Sequence, residues 1–171
     1  MNNKPFKNSL IFAIAPSFWG VGFAVVENGT LVDWGMKATK GDKNSAAVAQ
    51  MEKLIAQYRP SVFVMEDVHG QDSLRSERIR SLAKRLCALA EQAKIKTAAM
   101  PRREIRKIFF ADGRGSKDAL AAMIGERFSE ELGRILPPKR KAWMNEHFRM
   151  PVFEAVASAL AFESFRRQQL L

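Results

Sequence analysis

Apolar positions follow two periods along this chain, and the changes between them mark out the elements. Leu10 to Ala15 is an apolar run, Pro16 and Gly20 make a turn, and Val21 to Val26 is a second run; together they predict a β-hairpin. Gly29-Thr30 marks a further turn, and Thr30 to Lys37, with Leu31, Val32, Trp34 and Met36, predicts a third strand. After the polar loop Lys40 to Asn44, Val48, Met51, Leu54 and Ile55 recur at helical spacing, so Ser45 to Tyr58 predicts a helix ended by Pro60. Val62-Phe63-Val64-Met65 has the continuous apolar character of a buried parallel strand and ends on Glu66-Asp67. A long helix is predicted from Ser73 to Lys94, with Leu74, Ile79, Leu82, Leu86, Leu89 and Ala93 on one side and arginines and lysines over much of the rest. Ile95 to Met100 predicts a strand, Arg102 to Phe109 a short helix, and Lys117 to Leu132 a longer one. Pro137 to Lys141 reads as a stiff basic loop. Pro151 suits a first helical position, opening a last helix to about Arg167.

Strands first, then strands alternating with helices, predict an α/β domain: a mixed sheet with helices on both faces. The 171 residues suit one domain with a real core, residues 1–171, and no internal repeat breaks them. In such sheets, sites form at the carboxyl ends of central strands, where Glu66 falls.

Charge sharpens this picture. The formal net charge is +10, which implies a polyanionic partner or an anionic membrane surface. No apolar stretch approaches the ~20 residues of a membrane span. Lys4 and Lys7 before the first apolar run superficially resemble a secretory signal, but a run of about six residues is short for one and suits a strand. One cysteine, Cys87, excludes an intramolecular disulfide and is compatible with the cytoplasm, the compartment expected here. With two histidines and one cysteine, none at ligand spacing, a structural zinc site is not expected.

Taken alone, the candidate residues each have two readings. Glu66 is either a strand-end acid in solvent or a buried carboxylate needing a partner or a metal, and alternation puts Asp67 on the opposite face. Glu154 is either an acid favoured by a helix N-terminus or a ligand. Glu146 reads equally as a further ligand or a loop charge. Gly113-x-Gly115 before Lys117 is either a plain turn with a Ser116 helix cap or a phosphate cradle. The concentration of Arg102, Arg103, Arg106, Lys107, Arg114 and Lys117 favours phosphate contacts. Trp19, with Phe18, is core or a base-stacking aromatic. His69 is an incidental loop residue or a contact to phosphate or base.

Three segments together resemble the RuvC-type Holliday-junction resolvases of the ribonuclease H-like superfamily. The family's first strand looks like Ile-x-x-Ile-Asp-Pro-Ser/Gly, and here it reads Ile11-Phe12-Ala13-Ile14-Ala15-Pro16-Ser17. The pattern Val-x-x-Glu-x-Val is matched by Phe63-Val64-Met65-Glu66-Asp67-Val68, with Phe63 at the first position. The last helix, Asp-Ala-x-Ala-x-Ala-Leu-Ala in the family, reads Glu154-Ala155-Val156-Ala157-Ser158-Ala159-Leu160-Ala161. Ala99 to Lys107 followed by Gly113 to Leu120 is similar to a further basic, glycine-containing family segment. The order of elements agrees from about residue 10 to 165.

The resemblance implies structure-selective cleavage of branched DNA such as four-way junctions, by Mg²⁺- or Mn²⁺-dependent phosphodiester hydrolysis, in a homodimer. It makes Glu66 and Glu154 the metal ligands, with Glu146 possible. It also makes Ala15 the position of a missing aspartate that in the family bridges two metals; such sites hold cations ~3.5–4 Å apart. Glu154 departs too, being one methylene longer than the family's Asp at a metal that demands near-ideal octahedral geometry. Asp33 is the one nearby acid that could substitute. The expectation is therefore a nuclease fold that is inactive, with metal weakly bound or absent. Its alternatives are a non-catalytic DNA- or RNA-binding protein of the same fold, and an RNA nuclease or structural partner in a ribonucleoprotein. The helix Ser73–Lys94 is the expected dimer interface.

Overall fold

The computed structural model describes residues 10–70 and 73–169; Lys4, Lys7 and Ser9 lie outside them. Five strands form one sheet: β1 (Ile11–Pro16), β2 (Gly20–Glu27), β3 (Thr30–Ala38), β4 (Val62–Glu66) and β5 (Lys96–Met100), in the order β3-β2-β1-β4-β5. β1, β2 and β3 are antiparallel neighbours, whereas β4 runs parallel to β1 and β5 parallel to β4. The helices are α1 (Lys43–Tyr58), α2 (Glu77–Gln92), α3 (Arg102–Phe109), α4 (Lys117–Arg127), α5 (Ser129–Leu132) and α6 (Met150–Gln169). The mixed sheet with helices on both faces is the expected α/β architecture.

All six residues of β1 are buried because both faces of the central strand are covered. Ile11, Ala13 and Ala15 enter the core beneath α3, α4 and α6. Phe12 and Ile14 enter the opposite core beneath α1 and α2. Alternation thus commits Ala15 to the α6 face. Val62 and Val64 of β4 share that face, and Glu66, two residues on, continues it.

α6 lies close on the sheet because its sheet-facing residues are small. Ala155, Ala157, Ser158, Ala159 and Ala161 are all buried. The closest approach is at Gly22, where an added Cβ would stand 2.4 Å from the Pro151 backbone carbonyl carbon. Gly22 pairs with Ala15, so the first turn of α6 caps the strand ends that carry the expected site. Farther along, Glu163 is almost fully buried on α6 and accepts a hydrogen bond at 3.0 Å from the backbone N–H of Gly29, which has φ 76° in the β2–β3 turn.

Several boundaries differ from expectation. α1 starts at Lys43, capped by Asp42, whose carboxylate accepts from the Ser45 N–H; Ser45 is thus inside the helix. α2 starts only at Glu77 behind the Ser76 cap, and Leu74, expected on its apolar face, is fully exposed in the preceding coil. The helix from Lys117 breaks at Phe128 into α4 and α5, followed by a 3₁₀ turn at Gly133–Ile135. The apolar stripe of α2 (Ile79, Leu82, Ala83, Leu86 and Ala90) packs into the second core. It is therefore not available as a dimer face, and the solvent side of α2 carries Ser81, Lys84, Arg85 and Glu91. Among the described residues, no helix is long and apolar enough to cross a membrane.

Candidate functional site

The expected acids converge at the carboxyl ends of β1 and β4, under the first turns of α6. Ile14 pairs with Met65, and the same parallel register carried one residue on sets Ala15 beside Glu66. Glu154 comes down from α6, in its second turn because the helix begins at Met150. Burial, and then the negative charge of Glu154, push the Glu66 carboxyl above the usual carboxylate range; Arg75, Arg102 and Lys117 oppose the shift. Asp33 takes no part. It pairs with Val25, whose side chain belongs to the opposite core, and it accepts hydrogen bonds there from the Tyr58 hydroxyl and the Trp34 N–H.

Cations from the protein itself neutralise these acids. The Lys117 ammonium donates to Glu146 Oε2 at 2.7 Å and lies 3.2 Å from Glu154 Oε1. Its side chain is 25% exposed and that of Glu154 is 14% exposed, so this bridge is largely shielded. Lys117 sits at the first position of α4, placed there by the Ser116 cap, whose hydroxyl accepts from the Ala119 N–H. Arg106, expected among the phosphate contacts, is instead buried on α3, where burial and then the Arg102 charge lower its pKa, opposed by the charges of Glu154 and Glu66. A cavity of about 20 Å³ separates these groups, bounded by Glu66, Arg102, Arg106, Glu154 and Ser158 among others. That is room for one water, a suitable partner for the Arg106 Nε, which has none among the described residues.

This donor set does not fit a divalent metal. A methyl group stands at Ala15, the position at which the resemblance implies a carboxylate, and an ammonium holds Glu146 and Glu154. Among the described residues, no three Asp, Glu, His or Cys side chains are grouped to hold a metal ion. The arrangement is an ion-pair cluster of Lys117 with Glu146 and Glu154.

Beside it opens a cleft of about 620 Å³, lined among others by Glu66, Asp67, Gly70, Arg75, Arg102, Arg103, Arg114 and the Gly113 and Gly115 turn. Arg102, Arg103 and Arg114 are exposed and line this cleft. Gly115 is glycine for packing: a Cβ there would overlap the Phe110 ring. Lys107 is exposed and paired with Glu104 at 3.0 Å. His69 is exposed in the loop after β4, where its N–H donates to Asp67 Oδ1, so Asp67 serves as a turn cap. Trp19 stays partly exposed in the β1–β2 turn, and its Nε1 donates to the Glu146 carbonyl at 3.4 Å.

Arg75 and Arg78, plain helix charges by their sequence pattern, brace the site. The Arg75 guanidinium donates to the Pro16 carbonyl at 2.7 Å and that of Arg78 to the Ser17 carbonyl at 3.0 Å. Both span about 60 residues of sequence, and no local pattern signals such a contact.

The geometry has close parallels among solved structures. The Thermus thermophilus RuvC structure superposes with a TM-score of 0.68 over 93% of this chain and 96% of that one, at 14% identity. T. thermophilus RuvC in complex with Holliday junction substrate gives the same TM-score and identity over 94% of this chain and 96% of that one. The Fowlpox virus resolvase in complex with Holliday junction DNA gives a TM-score of 0.53 at 11% identity, over 95% and 99% of the two chains. This chain has the RuvC-type, ribonuclease H-like fold. No family model matches its sequence, and no curated protein matches it.

Proposed function

We propose that this RuvC-fold chain binds branched DNA, four-way junctions above all, without hydrolysing it. The observation that carries the reading is the Lys117 ammonium seated between Glu146 and Glu154 next to Ala15. It neutralises the acids that a nuclease of this fold would use for metal. Binding is supported by the cleft lined by Arg75, Arg102, Arg103 and Arg114, by the net charge of +10, and by junction-bound structures of the same fold. A four-way junction presents two symmetry-related strands, so a two-fold homodimer is part of the proposal.

Gel-shift titrations of a four-way junction against a linear duplex of equal length test this reading. The junction is expected to bind more tightly, with affinity falling steeply as salt rises, because each neutralised phosphate releases counterions. Replacing Arg102, Arg103 and Arg114 with Ala should flatten that salt slope by roughly one log unit per log unit of salt for each phosphate no longer neutralised. Incubation with Mg²⁺ or Mn²⁺ should leave the junction intact. Junction cleavage that disappears in Glu66→Gln would overturn the proposal, as would equal affinity for junction and duplex.

A further inference from the structure

Four large aromatics that the core does not use stand on two loops beside the acid cluster. Phe18 and Trp19 occupy the β1–β2 turn, and Trp143 and Phe148 occupy the loop before α6. Trp143 is 80% exposed, Phe18 67% and Phe148 45%. The two loops are tied together, since Trp19 Nε1 donates to the Glu146 carbonyl. Phe18 meets Trp19 edge-on at 5.3 Å, and Phe148 stacks on His147 at 4.8 Å. The Glu146 side chain in turn holds Lys117, so the two loops that carry these aromatics adjoin the cluster described above.

Each of three rings also carries a cation. The Lys43 ammonium lies 3.6 Å from the Phe18 ring centre, the Lys141 ammonium 5.3 Å from that of Trp143, and the Arg149 guanidinium 5.1 Å from that of Phe148. Exposed rings interleaved with cations are complementary to a ligand having both flat π faces and negative charge. A nucleotide with an unpaired base is such a ligand, because the base stacks and its phosphate meets the neighbouring cation. Inside a duplex both faces of a base are already covered by the neighbouring pairs. A second copy of this chain is a poor occupant, because a two-fold contact would set the same cations against one another.

We infer that Phe18, Trp143 and Phe148 form a stacking platform for unpaired nucleotides next to a DNA branch. The inference rests on the branched-DNA reading above and specifies which part of the DNA this face receives. The platform binds bases without regard to sequence, since every base has a π face.

The test uses the full chain and three probes: a four-way junction with fully paired arms, the same junction carrying an unpaired oligothymidine flap, and oligothymidine alone. Wild-type protein is expected to bind the flapped junction more tightly than the paired one. In Phe18→Ala/Trp143→Ala/Phe148→Ala that advantage should fall about ten-fold or more, with oligothymidine binding weakened in parallel. Binding to the paired junction and the melting temperature should be unchanged. Trp143→Phe, which keeps a ring, should retain most of the advantage.

No flap advantage in the wild type would overturn the inference. So would a triple variant that loses paired and flapped junctions in equal proportion, or one whose only change is a lower sedimenting mass, which would make the patch a contact between copies. Wild-type protein that binds oligothymidine but not the paired junction overturns the branched-DNA reading and, with it, the placement of the platform at a branch.

Discussion

Lys117→Met tests whether a built-in cation has replaced a bound one. Methionine keeps most of the aliphatic stem and deletes the ammonium that lies 2.7 Å from Glu146 and 3.2 Å from Glu154. Glu154 then faces Glu66 with only Arg106 and the neighbouring arginines to offset their repulsion. Breaking a fully buried ion pair costs about 3–5 kcal/mol, whereas exposed pairs are worth about 1 kcal/mol or less. With the lysine a quarter exposed and Glu154 less so, the expected loss is roughly 1–3 kcal/mol. For a chain of this length that lowers the melting temperature by roughly 2–12 °C.

The pH dependence should change in a fixed direction. Glu66 already has a folded value above its ordinary 4.5, so the folded state holds this proton more tightly than the unfolded chain. The contribution of Glu66 to stability is therefore complete below about 4.5 and declines as pH rises through its folded value. Lys117 is one of the charges that restrain this shift, so the decline should deepen and extend to higher pH in Lys117→Met. Mg²⁺ should leave the wild-type melting temperature unchanged and partly restore that of the variant, since a cation bound only by the folded state stabilises it. Calorimetric melts across pH, with and without Mg²⁺, measure all three effects. Equal Mg²⁺ stabilisation of both proteins, or an unchanged pH slope in the variant, would refute the reasoning.

Three further outcomes follow from the same geometry. Ala15→Asp alone should yield neither cleavage nor Mg²⁺-dependent melting, because Lys117 already holds Glu146 and Glu154; Ala15→Asp/Lys117→Met should gain the melting shift. Gly22→Ala should destabilise by about 1–3 kcal/mol in urea unfolding, because its Cβ would force the Pro151 turn of α6 off the sheet. Tyr58, the chain's one tyrosine, should titrate near 12, because its hydrogen bond to Asp33, its burial and the Asp33 charge all favour the protonated phenol. Its contribution to stability is then complete below pH 10 and lost between about 10 and 12. Tyrosinate absorbance reads this directly, and Asp33→Asn should return the titration toward 10.

The sequence by itself determined the elements and the sheet. The unbroken apolar runs Ile11–Ala15 and Val62–Met65 specify strands buried on both faces. The small residues Ala155 to Ala161 specify a helix laid close on it. The absence of a carboxylate at Ala15 was equally plain, since a motif shows what is missing as clearly as what is present. Boundaries were less legible where caps compete: Asp42 and Ser45 both suit a helix start, as do Ser73 and Ser76, and the backbone turn decides between them. The state of the acid cluster belongs to tertiary structure alone. Lys117 and Glu146 are 29 residues apart, Arg75 and Pro16 are 59 apart, and Arg106 sits in a run of basic residues that looks uniformly solvated. Periodicity reports which face of an element is buried, but not which charge from another element meets it there. That pairing depends on how α3, α4 and α6 pack around the ends of β1 and β4, and it is there that a lysine came to stand between the carboxylates.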